Sequence, residues 1–294
     1  MLIPGLAILL VNNYLPMFGV ILAFKNLKFT SRNFIISLFQ SEWTGFKNFE
    51  FLVKTDAAFV ITRNTILYNV AFIILELLLA VPAAIALNEL RNRMLAKVYQ
   101  TAMFLPQFLS WVVIGVLSFS FLSTDMGLIN KKILEPIGIE AISWYSRPVF
   151  WPFILTFVHL WKTLGGSSII YLAAITNIDT ELYEAAVIDG ASKWKQIKHI
   201  TIPLLIPLMI ILTILHVGKI FFADFGLFFQ VTQNAGALYS TTSVIDVYAY
   251  NALRVMGDTG MSAAVGLYQA TMGFILVLTT NLIVKKIDRD SALF

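Results

Sequence analysis

The 294-residue chain has no cysteine, and only 13% of its residues are Asp, Glu, Lys or Arg. The first absence excludes disulfides, iron–sulfur clusters and cysteine-rich zinc sites. The second excludes an ordinary water-soluble domain, in which about 25% of residues are charged. Histidine is scarce as well: His159, His199 and His216 are far apart in sequence, and no His/Asp/Glu group has metal-ligand spacing, so no metal site is expected. The chain also lacks a G-x-x-x-x-G-K-[ST] phosphate loop, because Gly165-Gly166 runs into Ser167-Ser168 without a lysine. No catalytic residue is expected, and nucleic acid is not an expected partner. What fills the chain is apolar: 58% hydrophobic residues, 24 phenylalanines and a mean hydropathy of +0.79.

The apolar residues fall in long runs. Segments of about 20 residues that carry almost no charge can span 30 Å of hydrocarbon as helices. The expected spans are 2–24, 64–88, 98–123, 150–176, 203–223 and 260–284, within a single transmembrane domain covering 1–294. The first span has no basic segment before it and no small-residue cleavage site after it, so it reads as a retained helix rather than a signal peptide. Pro106 lies inside the third span, where a kink rather than a helix end is expected. Runs such as Phe72-Ile73-Ile74-Leu75 do not alternate, which argues against a β-barrel. With both termini inside, segments 89–97, 177–202 and 285–294 hold Arg91, Arg93, Lys97, Lys193, Lys195, Lys198, Lys285, Lys286 and Arg289. The intervening outside segments are less densely basic, which favours cytoplasmic termini.

Ionisable groups at membrane depth should face the bundle interior or a wet pathway. Glu76, His159, Lys162, His216 and Lys219 are the candidates for a translocation pathway, and each His–Lys pair at i, i+3 shares one helix face. Most have a plainer alternative: Lys219, near the end of its span, as a snorkelling residue, Glu76 as the partner of a basic residue on a neighbouring helix, and the histidines as neutral hydrogen-bonding core residues. Trp144, Tyr145 and Trp151 are expected as interfacial anchors. The more polar segment 224–259 is expected at the outer mouth, where Gln230, Asp246, Tyr248 and Asn251 are candidates to meet a partner or a sugar.

Segment 177–203 is too structured for a plain connector. Asp179 or Thr180 can cap a helix that starts at Glu181, Gly190 permits a sharp turn, a lysine-rich stretch follows, and Pro203 suits the start of the next span. A helix–glycine–helix knob of this kind either merely links two spans or docks a partner protein. Glu184-Ala185-Ala186, three residues, Gly190, nine residues, Ile200, one residue and Ile202-Pro203 resemble the EAA coupling loop of ATP-binding-cassette importer permeases, with Ile202 in place of a leucine. Leu87-Asn88-Glu89-Leu90-Arg91, Phe108-Leu109-Ser110-Trp111, Ile245-Asp246-Val247-Tyr248-Ala249-Tyr250 and Ser291-Ala292-Leu293-Phe294 resemble the polysaccharide and oligosaccharide subgroup.

The resemblance implies an all-α integral membrane protein with the six-helix type I importer fold and a cytoplasmic EAA loop over 177–203. It implies a permease subunit that forms half of a pathway in the bacterial cytoplasmic (inner) membrane. Its expected partners are a second homologous permease, two ATPase subunits, an extracytoplasmic solute-binding protein and an oligosaccharide. ATP and Mg would be bound by the ATPase subunits, with no cofactor in this chain. Glu184, Ala185, Ala186, Asp189, Gly190 and Ala191 would couple the pathway to the ATPase. The basic groups at membrane depth narrow the expected sugar to an acidic, alginate-like one. The alternative class is a secondary transporter for a polar solute, which would ordinarily need more spans and internal repeats.

Overall fold

The computed structural model describes residues 3–27 and 34–287. Among the described residues, five helical segments are long and apolar enough to cross a membrane: α1 (Ile3–Phe24), α2 (Ala57–Glu89), α5 (Pro148–Thr176), α7 (Lys193–Val217) and a fifth within α9 (Thr259–Ile287). A bent pair, α3 (Arg93–Phe108) and α4 (Trp111–Leu122), makes a sixth element. The remaining helices used below are α6 (Thr180–Ile188) and α8 (Ile245–Arg254). Residues 288–294, with Arg289 and the terminal Ser291–Phe294 motif, lie outside the described residues.

Helix α1 is apolar all round and almost wholly exposed, with Ala23 its one buried residue. Its second half runs beside α9, and a two-residue antiparallel pair, β1 (Lys25–Asn26) with β2 (Glu42–Trp43), closes the loop that follows. Asn48 Nδ2 fastens this loop to the end of α1 by donating to the carbonyls of Ala23 and Lys25, both at 3.0 Å.

The 33 residues of α2 make a helix about 50 Å long, more than the hydrocarbon requires. It packs along α5 at Ala80, Val81 and Ala84, with Tyr171, Ile175 and Leu205 completing a buried cluster. Alanine at such a crossing lets the backbones approach, and close packing is what holds helices together where lipid is as apolar as the protein.

The third expected span is not one kinked helix. The chain turns by 98° between α3 and α4. Pro106 sits in a tight turn at the end of α3 without itself ending the helix, and the break comes at Leu109 and Ser110, both extended. Ser110 then caps α4, its Oγ accepting from Val113 N at 3.3 Å. A break inside the membrane frees carbonyls that lipid cannot satisfy. Lys162 of α5 supplies the donor: its Nζ reaches the carbonyls of Pro106, Gln107 and Leu109.

Segment 224–259 also departs from expectation. It is not simply a polar loop but contributes to a large buried core. Leu227, Phe228, Val231, Leu238, Val244 and Val247 are buried against Tyr68, Phe72, Ile114, Trp151 and Leu155. The same core corrects the anchor assignment for the 144–151 aromatics. Trp151 is fully buried and donates from Nε1 to the Trp144 carbonyl at 2.8 Å, Trp144 Nε1 donates to Asn130 Oδ1 at 3.1 Å, and Tyr145 donates to the Val231 carbonyl at 3.2 Å. Aromatics with one polar atom each are buried once that atom has a partner.

Candidate functional site

The EAA-like segment forms a knob at the end of the bundle that carries Glu89. Asp179 caps α6 by accepting from Glu181 N at 3.0 Å, and Glu181 then places an acid in the first turn, where the helix dipole favours it. The helix closes with Asp189 N on the Ala185 carbonyl and Ala191 N on the Ala186 carbonyl, at 3.0 and 2.8 Å. Between them Gly190 has φ +75°, in the left-handed region where a side chain is strained, and open space surrounds it. None of the residues of α6 is buried. Glu184, Ala185 and Asp189 are exposed with Gly190, whereas Ala186 and Ala191 are half-buried. Val187, Ile188 and Trp194 are 61%, 86% and 71% exposed, an apolar surface beside the carboxylates.

The lysine-rich stretch is not separated from the next span. It forms the first turn of α7, which continues through a wide helical turn at Ile197–Thr201, where Ile202 N–H bonds the Ile197 carbonyl. Such wide turns are inserted into helices at points that must tolerate irregular bonding, and Pro203, which has no N–H, follows directly. Three side-chain links tie the knob down: Tyr183 Oη to Thr201 Oγ1 at 2.9 Å, Gln196 Nε2 to the Ala191 carbonyl at 3.4 Å, and the Lys193–Glu89 ion pair at 3.3 Å.

The five membrane-depth groups separate into four locations. Glu76 and His216 line one cavity of about 70 Å³ with Ser167, Tyr171 and Thr213, between α2, α5 and α7. Ser167 Oγ donates to Glu76 Oε1. His159 does not line this cavity: its ring is stacked on Phe72 at 3.8 Å, and its buried Nδ1 has no hydrogen-bond partner among the described residues. Lys162 is committed to the α3–α4 break, and its ammonium lies 5.0 Å from the centre of the Trp111 ring. Lys219 is exposed in the turn after α7. Sequence reasoning missed Ser167 and Tyr171. Positions 159, 163 and 167 recur on one helix face, a periodicity that could have found Ser167.

The outer-mouth group is corrected in part. Asn251 is buried and exchanges hydrogen bonds with the Asn234 side chain at 3.1 and 3.2 Å. Asp246 accepts from Ala223 N at 2.7 Å and Gln269 Nε2 at 3.0 Å. Burial pushes its carboxyl above the usual range, and these two donors pull it back. Both residues hold α8 against the chain rather than facing outward. Gln230 and Tyr248 are half-buried. Missed in this region was Trp111 Nε1, which donates to Asp224 Oδ2 at 2.8 Å and joins α4 to the core segment after α7.

Comparison with known proteins accounts for this architecture. The chain is 34% identical to Protein LplB of Bacillus subtilis, over 99% of this chain and 89% of that protein. It is 33% identical to the polygalacturonan/rhamnogalacturonan transport system permease protein YteP of the same organism, over 99% and 88%. Among solved structures, a bacterial ABC transporter involved in the import of the acidic polysaccharide alginate superposes with a TM-score of 0.85 at 28% identity, over 98% of this chain and 94% of that one. Residues 57–289 match the family described as "Binding-protein-dependent transport system inner membrane component". The chain belongs to that family and is a carbohydrate-uptake permease subunit of an ATP-binding-cassette importer.

Proposed function

We propose that this permease forms half of the pathway of an importer for acidic, uronate-containing oligosaccharides, and that segment 177–203 is where it meets its ATPase. The observation that carries the coupling role is the knob itself. A nine-residue helix with no buried residue, carboxylates and apolar side chains side by side, and a glycine elbow at φ +75° presents a surface suited to a protein groove. Glu184, Ala185, Asp189 and Gly190 form the exposed part, with Ala186 and Ala191 allowing close approach. The density of basic residues at this end supports a cytoplasmic location, with both termini on that side. The acidic substrate is supported by likeness to a permease named for polygalacturonan and rhamnogalacturonan and to a transporter of alginate. Glu76 and His216, which line one cavity, are the proposed pathway groups. The other half of the pathway is a homologous permease, ATP and Mg are bound by two separate ATPase subunits, and sugar arrives on an extracytoplasmic binding protein.

The test is reconstitution of the complex in proteoliposomes with its binding protein, offering oligoalginate, oligogalacturonate and a neutral maltooligosaccharide. Acidic oligomers should stimulate ATP hydrolysis and enter the vesicles, and Gly190→Pro should abolish both responses while the complex still assembles. Unchanged transport in Gly190→Pro would overturn the coupling role. Stimulation by the neutral oligomer alone would overturn the acidic substrate.

A further inference from the structure

The knob poses a mechanical problem. A lever must hold its angle to transmit a push, and α6 has no buried residue to hold it. The backbone bonds around Gly190 close the elbow at the far end of α6. Tyr183 stands seven residues before Gly190, about 10 Å away along the helix. A bond at that distance from the elbow fixes the angle, as one beside the elbow does not. Tyr183 makes that bond, 2.9 Å to the Thr201 hydroxyl, and Thr201 is 4% exposed at the end of the wide turn within α7.

We propose that the Tyr183–Thr201 hydroxyl pair is the strut that makes the knob rigid, carrying movement of α6 into the span α7. This rests on the coupling role proposed for 177–203. The remaining links are poorer candidates. The Lys193–Glu89 pair is largely exposed, with Lys193 at 70%, and such pairs are weak. The Gln196 bond reaches Ala191, directly beside the elbow. Tyr183 and Thr201 are therefore positioning residues, and their loss should uncouple hydrolysis from transport without blocking assembly.

The experiment compares Tyr183→Phe, Thr201→Val, Thr201→Ser and the Tyr183→Phe/Thr201→Val double variant in the full reconstituted complex, beside Gly190→Pro. The probe is whichever of oligoalginate or oligogalacturonate stimulates the unmodified complex more. The readout is sugar transported per ATP hydrolysed, which a change in the amount of assembled complex does not move. A hydrogen bond of ordinary net strength shifts an equilibrium by about three- to tenfold, so Tyr183→Phe and Thr201→Val should each lower the ratio by about that factor. Thr201→Ser, which keeps the hydroxyl, should restore it, and the double variant should lose no more than either single one. An unchanged ratio in Thr201→Val and Tyr183→Phe, with Gly190→Pro uncoupled, overturns the strut and leaves the coupling loop standing. An unchanged ratio in Gly190→Pro as well overturns the loop assignment itself.

Discussion

Lys162 shows how one side chain makes a broken helix tolerable in a membrane. Its ammonium has three protons and no acceptor, and it meets the carbonyls of Pro106, Gln107 and Leu109. The residue had read as a lining group for sugar, because a cation at membrane depth suggests a polar pathway. The structure gives a different reason for the cost, since the polar partner is the chain's own backbone. Trp111 adds a cation–π contact at 5.0 Å and is held in turn by Asp224. Lys162→Met should therefore destabilise the protein by about 1–3 kcal/mol, the cost of leaving backbone carbonyls unpaired at membrane depth. Lys162→Arg, which keeps charge and donors, should lose less. Thermal unfolding of the purified complex in detergent checks both, and a melting temperature unchanged in Lys162→Met would show that the carbonyls find another donor.

At the scale of elements, the same face of α5 continues the grip on α3. A Cβ on Gly165 would overlap the Met103 carbonyl and the Phe104 Cα, and one on Gly166 would overlap the Gln107 side chain. The Met103 obstacle is backbone and cannot swing away, so Gly165→Ala should cost about 1–3 kcal/mol through overpacking at the crossing. Gly266 in α9 is the matched control: it is exposed, no atom lies within 4 Å of its would-be Cβ, and alanine there should be neutral or stabilising by up to about 1 kcal/mol. Melting temperatures of the two variants should move in opposite directions or only for Gly165. Periodicity and length made the long apolar helices legible, as did the cap and elbow of the knob, because each rests on local chemistry: Asp179, Gly190 and the apolar runs. The 98° break, the burial within 224–259 and the fate of Asn251 were not legible. Each depends on which distant side chain arrives, as Lys162 does at the break and Asn234 at Asn251, and no local pattern encodes that.

For the whole molecule, the proposed pathway raises the question of what charge Glu76 would offer an acidic sugar. Glu76 is an acid at membrane depth, and Ser167 donates to it at the wall of the cavity it shares with His216. A carboxylate there opposes a uronate, while its hydrogen-bonding edge serves the hydroxyls of any sugar. Opposition between charges is far stronger in a dry passage than in water. Glu76→Gln keeps the shape and the Ser167 acceptor but removes the charge, so it should raise the transport rate of oligoalginate and leave a neutral oligomer nearly unchanged. His216→Leu removes a polar group without adding charge, and should slow both sugars alike. The measurement is vesicle uptake of each oligomer at saturating ATP, with sugar moved per ATP followed in parallel to separate passage from coupling. If Glu76→Gln slows the acidic and the neutral oligomer equally, Glu76 acts as a packing acid between α2 and α5, and the pathway runs elsewhere on this subunit.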